Sequence, residues 1–324
     1  MKIKFAFIVM LLFLTGCIIG GTSQPEPVEV YIGTEGLEMD FMEQSPPSEV
    51  FLGEIFPVTV DMQNKGAYDI KGGVLVVSVE EYLYIRSQDY QDGFENFDLT
   101  GRSIYDPIGG VDRKTIQIEA ARLDPQSETI TTNIAVTACY PYKTDASATV
   151  CIDPDIFGQR QEEKVCTTRT VGMGTITYEG QDLPSGQGAP IAITRIEQKM
   201  LPHEDESLII PSFMIYVKNM EDGLPVELGL YEKACTATGI GKDAWNVIGL
   251  NAYLSDRSVQ LDCNIGKEDK TGSVKLEHDE DFIRCNLPSG IPKSRGTYTT
   301  PMMIDMLYGY TFTVSKQVLV RKQI

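Results

Sequence analysis

The sequence predicts an all-β protein made of two immunoglobulin-like β-sandwich domains in tandem, joined by a disulfide-stapled β-segment. Three observations predict it. Apolar residues recur with period two in many short runs, Gly, Pro and Asn punctuate those runs, and no stretch carries an apolar stripe at helical spacing long enough to build a domain. Alternation is the mark of a half-buried strand because successive side chains leave a sheet on opposite faces.

The chain opens with an apolar run from Phe5 to Ile19, preceded by Lys2 and Lys4. A helix needs about 20 apolar residues to cross a bilayer, so this shorter run predicts a signal-peptide core rather than a span. It ends in "LTGC", Leu14 to Cys17, with small Thr15 and Gly16 where a processing peptidase needs narrow side chains. Placed directly after the apolar core, these four residues resemble the lipobox of prokaryotic lipoproteins. The resemblance implies residues 1–17 as a leader with its lipobox, Cys17 as the lipidated first residue of the mature chain, and a location on the extracellular face of the membrane. A plain secretory peptide in which Cys17 is incidental is the competing reading. Residues 18–27, rich in Gly, Ser and Pro, then read as a tether. One acyl chain holds a protein only marginally, so a stable anchor there needs two or more.

The first sandwich is expected over residues 28–140. "FPVTVDM" sets Phe56, Val58, Val60 and Met62 on one face, the turn "NKG" follows at Asn64 to Gly66, and "TITTNIAVTA" groups Ile130, Thr132, Ile134, Val136 and Ala138. A long insertion from Glu80 to Gly110 carries Tyr82, Tyr84, Tyr90, Phe94, Phe97 and Tyr105 among Asp, Asn and Gln. Such rings supply rigid apolar area and the polar groups fix orientation, so the insertion predicts a surface for a protein or glycan partner. The competing reading has the rings cover the open end of the sandwich.

Residues 141–187 are expected as the connecting β-segment, with "LPSGQG", Leu183 to Gly188, as a hinge. The second sandwich, 188–324, contains "PSFMIYVKNMEDGLPVEL", then "IGLNAYL" with Ile248, Leu250, Ala252 and Leu254 on one face. It ends in two alternating runs, "TYTTPMMIDML" and "YGYTFTVSKQVLVRK", read as its closing strands. The two halves repeat one plan: "VTVDMQNKG" stands beside "MIYVKNMEDG", a strand ending at an Asn-containing turn. Asn64, Lys65 and Gly66, followed by Val74 to Val79, resemble the CARDB-like and immunoglobulin-like adhesion modules of archaeal and bacterial surface proteins. Asn219 to Gly223 match that pattern loosely, with two extra residues before the glycine. The resemblance implies a non-enzymatic module for adhesion or display.

Cys17 aside, six cysteines remain: Cys139, Cys151, Cys166, Cys235, Cys263 and Cys285. In an exported chain an even number at these wide spacings predicts disulfides rather than a zinc site. Cys151 with Cys166 and Cys263 with Cys285 are the expected loop-closing pairs.

A formal charge of −18 excludes nucleic-acid binding, which depends on Lys and Arg neutralising phosphate. The two histidines, His203 and His278, stand at the head of the acidic runs "HEDE" and "HDED". Neither has a metal-spaced partner, and the serines lack an evident base, so no catalytic residue, metal site or cofactor is assigned. The acidic runs read as solvated turns. The functional expectation is a structural or adhesive lipoprotein of the cell envelope that presents a binding surface to an envelope protein or glycan. The alternative is an envelope enzyme or solute-binding lipoprotein acting on carbohydrate or peptide.

Overall fold

A computed structural model describes residues 30–86, 94–158, 164–173, 175–178, 181–184, 186–236, 239–264, 271–278 and 280–323. The expected leader with Cys17, the tether 18–27 and Tyr90 lie outside the described residues.

The all-β expectation holds. In chain order the first half comprises β1 (Leu37–Phe41), β2 (Glu49–Phe51), β3 (Ile55–Asn64), β4 (Ile70–Val79), β5 (Leu83–Ile85), β6 (Phe94–Leu99), β7 (Val111–Ala120) and β8 (Thr129–Ile152). There follow β9 (Val171–Gly172), the hairpin of β10 (Thr175–Tyr178) and β11 (Gln181–Pro184), β12 (Ile191–Pro202), β13 (Leu208–Asn219) and β14 (Leu224–Val226). A one-turn helix α1 (Tyr231–Ala234) precedes β15 (Val247–Leu254), β16 (Val259–Gln260), β17 (Gly272–Lys275), β18 (Glu280–Asn286), β19 (Ile291–Pro292) and β20 (Tyr298–Arg321).

Two sandwich lobes share one continuous sheet. A four-stranded sheet in the order β1-β3-β7-β5 covers the first lobe, and a five-stranded one, β18-β13-β12-β9 with β19 also paired to β13, covers the second. Beneath both runs the order β16-β15-β20-β8-β4-β6. Its spine is β8 and β20, each 24 residues long and paired antiparallel from Thr129 against Arg321 to Ile152 against Tyr298. At about 3.3 Å per residue such strands reach roughly 80 Å, several times an ordinary sandwich strand. Each therefore begins in its own lobe and ends in the other. The first part of β8 pairs with β4, from Val79 against Ile134 to Val74 against Cys139, and its remainder forms the border of the second lobe. The first part of β20 pairs with β15, from Leu254 against Met302 to Gly249 against Leu307, and its end returns to the first lobe, where β2 pairs with it in parallel.

This arrangement corrects three expectations. The boundary placed at 140/141 falls inside β8, so residues 141–152 are strand rather than connector. The two closing runs are one strand, β20, and "YGYTFTV" leads into the first lobe rather than finishing the second. Alternation continues unbroken through "YPY" and "YGY" because period two records which face is buried, not which lobe buries it. Two residues of the expected hinge are held fast instead: Gly188 donates to Gly33 O (2.8 Å) and accepts from Ala67 N–H (2.7 Å), and the Gln187 side chain bonds Ile193 in both directions (3.1 and 2.8 Å).

The apolar faces read from the sequence line the interior. Phe56, Val58, Val60 and Met62 are buried in the first lobe and Ile248, Leu250, Ala252 and Leu254 in the second, within one hydrophobic cluster. Cys151 bonds Cys166 and Cys263 bonds Cys285, the pairings read from the sequence. Cys139 on β8 bonds Cys235 just after α1, 96 residues on, and pins the crossing between β14 and β15 to the shared sheet.

Candidate functional site

The lobes meet at a waist built around four tyrosines. Tyr140 and Tyr142 lie two residues apart on β8, so they share a face; Tyr310 and Tyr308 face them on β20. All four are buried. Their rings meet edge-on or tilted, with centroids 5.7 Å apart for Tyr140 and Tyr142 and 5.9 Å for Tyr140 and Tyr310. A buried phenol needs a partner for its hydroxyl, and each finds one. Tyr142 donates to Asn64 Oδ1 (3.2 Å) and Tyr310 to Asn219 Oδ1 (3.0 Å); Tyr140 accepts from Leu37 N–H (3.3 Å), and Tyr308 pairs with the Thr144 hydroxyl (2.9 Å). Burial pushes the ionisation of Tyr140, Tyr142, Tyr308 and Tyr310 above the ordinary phenol value. The quartet is a core that joins the lobes.

The repeated Asn turns are the ties to this core. Asn64 Nδ2 donates to Tyr68 O (2.7 Å) while its Oδ1 accepts from Gly66 N–H (3.2 Å); Asn219 Nδ2 donates to Gly223 O (2.7 Å) while its Oδ1 accepts from Glu221 N–H (3.4 Å). The equivalence therefore runs Asn to Asn, and Gly223 corresponds to Tyr68 rather than to Gly66. Packing explains the displaced glycine. A Cβ on Gly66 would sit 1.8 Å from the Tyr142 hydroxyl, and one on Gly223 would sit 2.4 Å from Tyr310 Cε1. Each lobe needs its glycine where its own tyrosine touches the backbone.

The aromatic insertion does not form one surface. Phe97 is core, packed on Tyr140 at 6.5 Å between centroids, because β6 continues the shared sheet and turns that ring inward. This overturns its reading as a partner-binding residue. Tyr84 is exposed on the edge strand β5, Tyr82 and Phe94 are half-buried, and Tyr105 stands apart from them in the loop between β6 and β7. That loop is the apolar surface feature of the waist. Ile104, Tyr105 and Ile108 are 66%, 92% and 64% exposed.

The loop is held in this shape from within. The Ser103 hydroxyl accepts from Tyr105 N–H (3.3 Å) and Asp106 N–H (2.9 Å), Ser103 N–H reaches Asp106 O (2.8 Å), and Gly109 N–H reaches the Asp106 carboxylate (3.3 Å). Gln63 Nε2 fixes Ile108 O from β3 (2.9 Å). Arg102 binds Val30 O (3.3 Å) and Ile32 O, which brings Tyr31, 67% exposed, and Ile32 beside the loop. Sequence reasoning named Tyr105 and missed Ile104, Ile108, Tyr31 and Ile32. The available signal was "SIYDPIGG", apolar residues set in turn chemistry rather than in alternation.

Beside the waist, Asp145 on β8 faces Asp305 on β20 on the outer side of the ribbon. Lys143 pairs with Asp145 (2.7 Å), and Arg257 grips Asp305 with both terminal nitrogens while lying 5.4 Å from the Tyr253 ring. Burial, with the neighbouring Asp305, raises the Asp145 carboxyl above the usual range. Burial acts against ionised Asp305, but the Arg257 fork together with the neighbouring Asp145 and Lys143 more than offsets it, and Asp305 lies below the usual range.

Of the acidic runs, His203 Nδ1 accepts from Asp205 N–H (2.8 Å) and Asp205 from Ser207 N–H (2.8 Å), a self-satisfied turn. Among the described residues no cluster of three metal-ligating side chains occurs, and no helix is long and apolar enough to cross a membrane.

No family model and no curated protein matches the chain. Among solved structures it is similar to the sporulation control protein Spo0M from Bacillus subtilis, with 14% identity, 56% of this chain and 80% of that one covered, and a TM-score of 0.16. A DUF4466 family protein from Parabacteroides merdae matches with 8% identity, 84% and 99% coverage and a TM-score of 0.16. The CupB6 tip adhesin from Pseudomonas aeruginosa matches with 9% identity, 90% and 98% coverage and a TM-score of 0.15. TM-scores this low carry no argument about function.

Proposed function

We propose that the protein is a non-enzymatic, exported cell-envelope lipoprotein, anchored through lipid on Cys17, that binds an envelope protein or glycan. The observation that carries this reading is the self-bonded loop from Ser103 to Gly109, which keeps Ile104, Tyr105 and Ile108 in water when a collapsed loop would bury them. Held-out apolar side chains ringed by polar groups are the makeup of a recognition surface. Three disulfides support an oxidising compartment. The "LTGC" motif supports the anchor, and the Asn-turn modules, similar to CARDB-like adhesion domains, support display over catalysis.

Two measurements test it. The intact mass of protein from its native membrane should correspond to a chain beginning at Cys17 plus lipid; a chain beginning at Met1 overturns the anchor. In the unlipidated chain beginning at residue 18, Ile104→Ser with Tyr105→Ser should weaken retention on isolated cell envelope by about tenfold or more, a loss of roughly 1.4 kcal/mol, with the melting temperature unchanged. Full retention by that variant overturns the binding surface.

A further inference from the structure

Tyr31 stands between two cavities beside the waist. One, about 540 Å³, has Tyr31, Tyr68 and Lys143 in its wall; the other, about 460 Å³, has Tyr31, Gln187 and Arg257. Asp145 lines both, so they form one cleft, and each falls within the roughly 300–1,000 Å³ of small-molecule sites. Both tyrosines are exposed. The wall is set before anything binds. Arg102 holds the backbone on either side of Tyr31, at Val30 O (3.3 Å) and Ile32 O, and Gln187 is fixed by its two bonds to Ile193 (3.1 and 2.8 Å). Groups held in this way lose little freedom when a ligand arrives.

The charges of the cleft are paired off within its own wall. Lys71 pairs with Asp69 (3.5 Å), Lys143 with Asp145 (2.7 Å), and Arg257 with Asp305, the residue opposite Asp145 on β20. A charged ligand of either sign would meet a counterion already engaged and a like charge beside it. A neutral polyhydroxyl ligand meets no such opposition. Each of its hydroxyls both donates and accepts, so it can bond an ammonium, a guanidinium and a carboxylate in one place. Exposed tyrosine rings add apolar faces on which the C–H side of a sugar ring can rest, while their hydroxyls stay in water. Lys143 Nζ lies 5.6 Å from the Tyr68 ring centroid, so a donor and a ring converge on the same cavity.

We propose that this cleft binds a neutral oligosaccharide, with sugar rings stacked on Tyr31 and Tyr68 and hydroxyls bonded to Lys143, Asp145 and Arg257. Tyr31 also flanks the loop from Ser103 to Gly109 through Arg102, which sets the cleft beside the apolar surface of the waist. The proposal rests on the reading of the protein as a binder in the envelope, and takes a glycan, held in a cavity, as the ligand.

The test is an NMR titration of backbone amide shifts in the disulfide-bonded chain beginning at residue 18. The probes are chitotetraose, maltotetraose and cellotetraose, with tetragalacturonate and tetralysine as charged counterparts. At least one neutral tetrasaccharide should give saturable shifts at Tyr31, Tyr68, Lys143 and Asp145. It should bind about tenfold or more tighter than either charged tetramer, a difference of roughly 1.4 kcal/mol. Tyr31→Ala should weaken that binding by about tenfold or more and keep the melting temperature, because the ring is exposed. Tyr31→Phe, which keeps the ring, should retain it. Absence of saturable shifts with all three sugars, tighter binding of a charged tetramer, or unchanged affinity in Tyr31→Ala overturns the proposal. Ile104→Ser with Tyr105→Ser should leave the sugar affinity unaltered, so failure of the cleft and failure of the loop are read separately.

Discussion

The two lobes are built on one plan and secured differently. Each has a cover sheet, an Asn turn that ties it to the waist and a last strand lent to its neighbour. The second lobe carries two internal disulfides, Cys151–Cys166 and Cys263–Cys285, whereas the first has none of its own and shares only Cys139–Cys235. The first lobe compensates by packing. Asn64 is fully buried and makes a further bond to Leu99 O (3.3 Å), and Tyr68 stands edge-on to Tyr142 at 6.1 Å, where the second lobe has only Gly223. The difference teaches that a repeat can be held by noncovalent contacts on one side and by covalent loops on the other while both converge on the same four tyrosines.

Breaking the waist should erase the comparison altogether. Tyr142→Ala or Tyr310→Ala should each cost about 3–5 kcal/mol, and both lobes should melt in one transition, because each ring belongs to one lobe's strand and the other lobe's border. Two separated calorimetric transitions in the wild-type protein would contradict this account. Next in size is the shared disulfide. Replacing Cys139 and Cys235 by Ser together opens a loop of 96 residues and should cost about 4 kcal/mol, read as a fall in the urea midpoint. Removing Cys263–Cys285, with a separation of 22, should cost about 3 kcal/mol and show as earlier exchange in the second lobe only.

A smaller effect should distinguish the ties. Asn64→Ala should cost more than Asn219→Ala, by roughly 1 kcal/mol, because it strands a buried hydroxyl and two carbonyls rather than a half-buried set. Equal costs would show that the extra bond to Leu99 contributes nothing. The smallest concerns the acidic pair. A carboxyl raised in the folded state contributes stability below the unfolded value of about 3.9 and loses that contribution as pH rises through the folded value; a lowered one contributes above about 3.9 and loses it as pH falls. Asp145→Asn should therefore leave neutral stability intact or slightly higher and reduce stability retained in acid, whereas Asp305→Asn should weaken the protein at neutral pH. Urea midpoints measured across the acid range check both signs, and equal effects of the two substitutions would contradict the opposite shifts.

How much of the site was readable follows from the kind of signal each residue carried. Tyr105 stood out as an aromatic in a polar loop. Phe97 looked the same, but "FENFDL" is an alternating strand whose inward residue happens to be aromatic. Ile104 and Ile108 were missed because an exposed aliphatic is marked by the bonds that hold its loop open, and those involve Ser103, Asp106 and the distant Gln63.

By itself the sequence determined the all-β class, the buried faces of the strands and two of the three disulfides, because alternation, turn residues and short loop closures act within a few residues to a few tens of residues of chain. The tertiary structure decided where β8 and β20 change lobes, which tyrosines meet, and that Cys139 pairs with Cys235. These depend on partners as far apart as Tyr142 and Tyr308, and an alternating strand looks the same whichever lobe covers it.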